Sequence, residues 1–289
     1  MVYKRKTEEE RQKEVEELAG LLEDGVLNAS IDPERFKALL EMAAIFPKYS
    51  FRNVALIHSQ MPKATYVASF KKFRELDRNV IKGQKAIRIL APRISKVKND
   101  ETGQEEKKII GFLSVPVFDF SQTEGKPLPI EQYRLKLDGN SDAAVNIIEA
   151  VKDIAQQDEC RFSFSYVPGT TSGYYSPSDH RIVVSDSLSV NHKAKTSVHE
   201  LVHSRVHRKN NETKEEQESV AEGAAFIVCS YFGLDTSSYS FEYIRGWSKE
   251  PESILKYCEQ IHEVASSLIL EFETYFEMHG SLDKDLAIA

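Results

Sequence analysis

Apolar positions follow two kinds of spacing along this chain. Three- and four-residue spacing, typical of one face of a helix, predicts helices over 7–24 and 33–46. The second helix follows Asp32-Pro33, a capping carboxylate before a proline at the first turn. Short apolar runs predict strands over 64–68, 85–91 and 109–119, and a polar insert from Lys96 to Lys108 predicts a hairpin tip between the last two. This part of the chain is therefore predicted to mix helices and strands.

A stretch rich in glycine and proline separates this part from a second one. Phe120 to Leu135 contains Gly125, Pro127 and Pro129, which predicts a connector. Beyond it we predict a helix from Ser141-Asp142 to about Gln157, strands over 161–166 and 173–185 with a turn at 176–179, and helices over 191–208, 213–232, 239–248 and 252–279. We therefore expect an α+β fold of two domains: residues 1–125, a connector 126–140, and residues 141–289.

Composition excludes several classes of protein. With 41% hydrophobic residues in 289, the chain is able to bury one or two cores. It has no run of about 18 apolar residues, so no membrane span is expected. Its first residues lack the apolar core of a secretory signal, and Cys160, Cys229 and Cys258 are widely spaced without a CxxC motif. We therefore expect a cytoplasmic protein without a disulfide framework.

Charge is distributed unevenly, and this changes the picture. Residues 48–98 contain thirteen Lys and Arg against two acidic residues, a net +11, whereas the whole chain is −7. Such an excess predicts a polyanion partner, and the aromatic residues among the basic ones favour single-stranded DNA. The candidate DNA-binding residues are Arg52, Asn53, Lys71, Lys72, Arg74, Lys82 and Lys85. The alternative is that these cations are merely solvated. We expect Phe70 and Phe73, three residues apart, to lie in the core.

The pattern His199-Glu200-Leu201-Val202-His203 predicts a zinc site. On a helix the two histidines lie one turn apart on one face, so both imidazoles reach one ion. Glu200 is placed as the general base that takes a proton from water. The alternative is a chance match on a solvated helix.

A third protein ligand must come from elsewhere in the chain. His207 continues the four-residue spacing, but it lies about 12 Å along the helix from His199, too far to share an ion with it. The next predicted helix carries Glu218 and Glu222 on one face, among small residues that allow close packing. We predict Glu218 as the ligand, with Glu222 as a supporting residue or alternative ligand. A simple acidic first turn is the other interpretation.

These patterns together resemble a known family. The histidine motif, followed by Glu218-Ser219-Val220-Ala221, is similar to the gluzincin-like peptidases of the ImmA/IrrE type and, more closely, to the ArdC antirestriction proteins. The matching blocks elsewhere are Tyr49-Ser50 with Asn53, residues 60–67 with Phe70, residues 80–92, residues 117–123 and residues 243–247. Phe73 stands where relatives often carry tryptophan. The likeness covers nearly the whole chain.

The resemblance implies an N-terminal domain that binds single-stranded DNA and a C-terminal gluzincin-like zinc metallopeptidase domain. It implies protection of DNA that enters a cell single-stranded during conjugation. Two rival hypotheses are a DNA-binding protein with a structural or inactive zinc site, and a regulatory peptidase that cleaves a repressor. Tyr243 is a possible oxyanion donor, and we expect an extended peptide to pair with a sheet edge at residues 173–176 or 181–184. His180 is expected at the surface.

Overall fold

The structure is a computed structural model that describes residues 6–98, 105–128, 141–206, 213–234, 236, 239, 241 and 250–279. Its helices are α1 (Glu8–Ser30), α2 (Pro33–Ile45), α3 (Phe51–Gln60), α4 (Phe70–Glu75), α5 (Ser141–Gln157), α6 (Val190–Val206), α7 (Lys214–Tyr231) and α8 (Pro251–Met278). Its strands are β1 (Val67–Ala68), β2 (Arg78–Val80), β3 (Ile87–Lys98), β4 (Glu105–Asp119), β5 (Thr123–Gly125), β6 (Arg161–Ser165), β7 (Gly173–Ser176) and β8 (Arg181–Ser185). The α+β class expected from the sequence is confirmed.

Contacts between Cα atoms divide the chain into two compact units. Unit 1 comprises Met1–Asn28 and Arg52–Pro127, and unit 2 comprises Ala29–Phe51 and Leu128–Ala289. Residues 29–51 thus group with the later part of the chain, because α2 packs against α7 and the Phe36 ring meets the Phe241 ring edge-on at 5.4 Å. These units differ from the expected division at 125, and the boundaries of the domains stay a prediction.

Unit 1 contains two small antiparallel sheets. One has the strand order β1-β4-β3 and the other pairs β2 with β5. The β3–β4 ribbon runs from Ile87 opposite Val117 to Lys98 opposite Glu105. It is longer than the apolar runs predicted, because its outer part is rich in charged residues, such as the run 105–108. Residues 123–125, expected within the connector, form β5 instead, and the hairpin tip at 99–104 lies outside the described residues.

Two amide side chains of α3 cover the free edge of β3. Asn53 donates to the Leu90 carbonyl and accepts from the Leu90 N–H, each at 2.9 Å. Gln60 does the same for Arg88, at 2.8 Å and 2.9 Å. Backbone groups that a neighbouring strand would satisfy are thus bonded to side chains, and this part of the edge is closed to another strand. No apolar run predicted α3.

Unit 2 packs helices against a three-stranded sheet of order β6-β8-β7. β6 and β8 are parallel, and β7 is an antiparallel edge strand. The central strand buries Ile182, Val183 and Val184, and α6 packs on β7 and β8 on one side and on α5 and α7 on others. This arrangement fixes one face of α6 beside the sheet edge. Among the described helices, none is long and apolar enough to cross a membrane.

Candidate metal centre

Helices α6 and α7 bring the predicted metal ligands together. α6 buries Ala194, Val198, Leu201 and Val202 almost completely, which leaves His199 and His203 half-buried on the adjacent face. α7 is preceded by the N-cap residue Thr213, which forms a capping box with Glu216, and the helix packs closely against both α6 and α8. At Gly223, a Cβ atom would lie 2.9 Å from side-chain atoms of Ile261 of α8, so a larger residue would require that side chain or the helix to shift.

Three side chains converge on one point. The Nε2 atoms of His199 and His203 lie 3.0 Å apart, and a Glu218 carboxylate oxygen lies 3.3 Å from the first and 3.6 Å from the second. Their ligand atoms all lie within 4.8 Å of one another. The two histidines and the glutamate that the sequence predicted therefore form a group able to hold a metal ion.

Glu222 occupies the other side of the His199 ring. A Glu222 carboxylate oxygen lies 3.3 Å from His199 Nδ1, the nitrogen that faces away from Glu218. Lys195 forms an ion pair with Glu222 at 3.1 Å, and its ammonium sits 3.5 Å from the centre of the Tyr239 ring. Lys195 was not predicted to belong to the site. Its position four residues before His199, facing a residue four after Glu218, was the available signal.

The charges of the cluster shift its proton equilibria. Burial opposes protonation of His199, but hydrogen bonds to Glu218 and Glu222 outweigh it and raise the pKa of His199 to about 9. Hydrogen bonds from His199 and His203 hold the pKa of Glu218 well below its usual range. In the absence of a metal ion, the cluster therefore retains a proton that a cation must displace.

Glu200 is buried beside this cluster, with 6% of its surface exposed. Burial raises the pKa of its carboxyl group above the ordinary value, although the neighbouring His199 and His203 and the backbone N–H of Tyr175 oppose the shift. The side chain lines a cleft of about 830 Å³ that also exposes His199, His203, Glu218 and residues 171–175. The arrangement is able to take up a proton inside a cleft open to substrate.

The edge strand β7 forms one wall of the cleft. Gly173 is buried against α6, and a Cβ atom there would lie 2.8 Å from both Thr196 Cγ2 and the Val183 carbonyl oxygen. The sequence offered two candidates for the sheet edge. Residues 173–176 form an edge strand, whereas the prediction for residues 181–184 is wrong, because β8 is the central strand. His180 is half-buried and bonded to Tyr175 Oη and the Asp158 carbonyl, both at 3.0 Å, so it is not a free surface residue.

Other predicted site residues differ in their surroundings. Tyr243 and His207 lie outside the described residues. Asn53 departs from the expected DNA-binding role, since it is only 9% exposed and both ends of its amide bind Leu90. The remaining candidates are exposed or half-exposed on unit 1: Arg52, Lys71, Lys72, Arg74, Lys82 and Lys85.

The two phenylalanines that were expected in the core differ in burial. Phe73 is completely buried, so it does not present a ring to a DNA base. Phe70 is 49% exposed, and the Arg74 guanidinium lies 6.0 Å from its ring centre. The expectation of core burial is therefore confirmed for Phe73 and wrong for Phe70, because the short α4 turns only one of the two rings inward.

Part of the basic excess is neutralised within unit 1. Arg88 pairs with Glu14 at 3.0 Å, Arg93 with Glu8 at 2.8 Å, and Lys96 with Glu105 at 2.9 Å. Arg78 is buried and donates to Thr123 Oγ1 at 2.8 Å. These four cations have partners within unit 1, so the sequence excess of +11 overstates the charge offered to a polyanion.

Comparisons with known proteins agree with the fold. Residues 4–118 match the family model of the N-terminal domain of the anti-restriction factor ArdC. The chain is 28% identical to the uncharacterized protein pXO2-81 of Bacillus anthracis over 92% of its own length, and it spans about half (52%) of that curated relative.

Two crystal structures of the antirestriction protein ArdC from plasmid R388 are also similar. The metal-free structure has 18% identity and a TM-score of 0.50, with 81% of this chain and 86% of that chain covered. The Mn(II)-bound structure has 17% identity and a TM-score of 0.47, with 78% and 89% covered. Residues 4–118 thus match the ArdC N-terminal domain, and the chain shares the fold of the ArdC protein.

Proposed function

We propose that this chain binds a divalent metal ion through His199, His203 and Glu218 and, with Glu200, hydrolyses its substrate. One observation carries the proposal: ligand atoms from two helices lie within 4.8 Å of one another, in a cleft that a buried carboxylate also lines. The two imidazoles are half-buried, and the more exposed Glu218 carboxylate reaches them from the neighbouring helix.

The donor atoms fit a zinc ion. Ligand atoms bonded at about 2.1 Å in tetrahedral directions lie about 3.4 Å from each other. The three separations here are 3.0, 3.3 and 3.6 Å. Two imidazole nitrogens with one carboxylate oxygen, leaving a position open, is the donor set of catalytic zinc. We therefore propose Zn²⁺ as the cofactor.

The residues around that position suit hydrolysis. When bound, the zinc ion would make a water molecule more acidic and polarise a substrate carbonyl group. Glu200 accepts the proton from water and returns it to the leaving group, and its burial, which raises the pKa of the carboxyl, favours holding that proton. The Tyr175 backbone N–H donates to the Glu200 carboxylate and fixes its direction.

The substrate that fits the cleft is an extended peptide. β7 is an edge strand and lines the cleft through Gly173, Tyr174 and Tyr175. A peptide added alongside β7 would bind through backbone hydrogen bonds and lie beside the metal ligands. Tyr243 remains our candidate for an oxyanion donor.

We further propose that unit 1 binds single-stranded DNA and that the protein acts in antirestriction, protecting incoming conjugative DNA. The supporting observation is the exposed Phe70 ring with the Arg74 guanidinium 6.0 Å from its centre. Lys71 beside it is 89% exposed, and its contact with Glu75, at 3.7 Å, is an exposed ion pair that a phosphate is able to replace. A ring beside cations offers both a stacking surface and phosphate contacts. The ArdC N-terminal domain spans all of these residues.

The hydrolytic proposal is tested by comparing variants of the full chain. His199→Ala and Glu218→Ala should lose bound zinc in elemental analysis, from about one ion per chain. Glu200→Gln should retain zinc, because Glu200 is not a ligand, but should lose cleavage of unfolded casein as a general peptide probe.

His192→Ala is the matched control, since His192 lines the same cleft outside the ligand cluster. Loss of zinc from His192→Ala to the same extent as from His199→Ala would contradict the ligand assignment. Full zinc binding without cleavage by the unmodified protein would favour a structural metal site. Cleavage that is independent of DNA protection would favour a regulatory peptidase.

A further inference from the structure

The imidazole of His199 lies between two carboxylates of the same helix. Glu218 faces Nε2 at 3.3 Å, on the side where His203 also lies. Glu222 faces Nδ1 at 3.3 Å, on the opposite edge of the ring. The two nitrogens of an imidazole point in different directions, so a single ion at Nε2 is not within reach of a carboxylate seated at Nδ1.

We propose that Glu222 is a positioning residue and that Lys195 determines this role. Glu222 accepts a hydrogen bond from Nδ1–H of His199, which leaves the Nε2 lone pair directed at the metal position. A carboxylate that holds the second nitrogen of a ligating histidine fixes the tautomer and the ring orientation and makes the imidazole a stronger donor. This inference deepens the proposed function and rests on it, because it requires that the cluster binds a metal ion.

Lys195 holds Glu222 away from the metal position. Its ammonium is 3.1 Å from a Glu222 carboxylate oxygen, and both side chains are about one-fifth exposed. At this depth the ion pair is screened less than one at the surface. The carboxylate therefore has a cation on one side and the His199 ring on the other, and both favour its present direction.

Lys195 is itself fixed by a buried aromatic ring. The ammonium lies 3.5 Å from the centre of the Tyr239 ring, a favourable cation–π distance. Tyr239 is 4% exposed and its hydroxyl lies 3.6 Å from the Cys229 thiol of α7. The chain of contacts Cys229–Tyr239–Lys195–Glu222–His199 thus runs from the core to the metal position. It explains why α7 carries two glutamates with different roles.

The experiment measures zinc affinity of the full chain by competition with a chelator. Glu222→Ala should weaken zinc binding by about 10- to 100-fold, the usual effect of removing such a partner. Glu222→Gln retains an oxygen acceptor for Nδ1–H, and a neutral acceptor is about half as strong as a charged one, so its loss should be only about 3- to 10-fold. Lys195→Met should also weaken binding, because Glu222 loses its second partner.

A second measurement separates a positioning role from direct coordination. The visible absorption of Co²⁺ substituted for zinc reports the ligand set, so Glu222→Gln should leave the Co²⁺ bands at the wavelengths of the unmodified protein. Glu218→Gln should move or abolish them. Glu215→Gln, an exposed glutamate on the same helix, is the matched control and should change neither affinity nor spectrum.

The possible results are distinct. Equal losses of affinity in Glu222→Gln, Glu222→Ala and Glu218→Ala, with altered Co²⁺ bands in Glu222→Gln, would show that Glu222 is a ligand and overturn the inference. Affinity of Glu222→Ala within about twofold of the unmodified protein would also overturn it, because removal of a positioning partner costs at least about tenfold. If the unmodified protein binds neither zinc nor Co²⁺, the proposed function itself fails.

Discussion

His199 is the side chain on which the charges of the cleft converge. It has a carboxylate at each ring nitrogen, and the His203 ring lies edge-on to it with centroids 4.7 Å apart. A cation at the Nε2 position would replace the proton that this environment retains. Proton and metal therefore compete for one atom, and the competition sets the pH at which the site fills.

We predict that zinc affinity rises steeply with pH between 7 and 9. Because the pKa of His199 is raised to about 9 in the metal-free protein, binding below that pH must release a proton. Release of one proton corresponds to about tenfold in affinity per pH unit, or about 100-fold from pH 7 to 9. Isothermal titration calorimetry in buffers of different ionisation enthalpy measures both the affinity and the number of protons released.

Stability of the metal-free protein should follow the opposite trend. A raised folded-state pKa stabilises the fold fully below the unfolded value of about 6.5. That contribution is lost as the pH rises through about 9, where His199 loses its proton.

Zinc affinity that is constant from pH 7 to 9, with no proton release, would contradict a protonated metal-free cluster.

The residue scale is also where sequence was most informative. His199 and His203, and Glu218 and Glu222, are each four residues apart, so helical geometry alone places each pair on one face. The partner of Asn53 was not predictable in this way, because Leu90 is 37 residues away and nothing local specifies that contact. Phe70 and Phe73 share a spacing but not an environment, because that depends on what packs over α4.

At the scale of elements, α3 takes the place of a neighbouring strand along part of the free edge of β3. Four hydrogen bonds from Asn53 and Gln60 satisfy backbone groups of Leu90 and Arg88. Their alternate positions on β3 match the alternation of outward backbone groups along an antiparallel edge strand. Asparagine and glutamine carry both an NH₂ donor group and an oxygen acceptor, so their side chains are able to complete such a pair.

We predict that Asn53→Ala destabilises the fold without weakening DNA binding. The substitution leaves the Leu90 N–H and carbonyl without their partner, at a cost of about 1–3 kcal/mol in the free energy of unfolding, measured in urea. Ser59→Ala, at an exposed position of α3, should change it by less than about 0.5 kcal/mol. Unchanged stability with weaker binding to single-stranded DNA would instead restore Asn53 as a DNA contact.

At the scale of the molecule, some of the basic residues of 48–98 have partners within the fold. Arg78, Arg88, Arg93 and Lys96 have partners within unit 1, so they offer little to a polyanion. Lys82 and Lys85 are exposed near β2 and β3. The formal charge of residues 48–98 was visible in the sequence, whereas the division into paired and exposed cations required the fold.

A fragment ending near residue 125 would separate α2 from its partner α7, so DNA binding is best measured on the full chain.

We predict that the full chain binds single-stranded DNA in a strongly salt-dependent manner. The contributions of charge and of base stacking to this binding should be distinguishable by substitution. For an oligothymidine of roughly 16 nucleotides, each phosphate contact should add about −0.7 to the slope of log affinity against log salt. Lys82→Glu with Lys85→Glu should weaken binding and flatten that slope by at least about 1.4. Phe70→Ala should weaken binding by about 1–3 kcal/mol and leave the slope unchanged, because a stacked ring releases no counterions.

The control is Lys193→Glu with Lys256→Glu, which changes the net charge by the same amount in unit 2 and should have little effect on binding. Fluorescence anisotropy measures all of these; equal losses in the two charge-reversed variants, or equal affinity for duplex DNA, would mean that these cations only solubilise the protein.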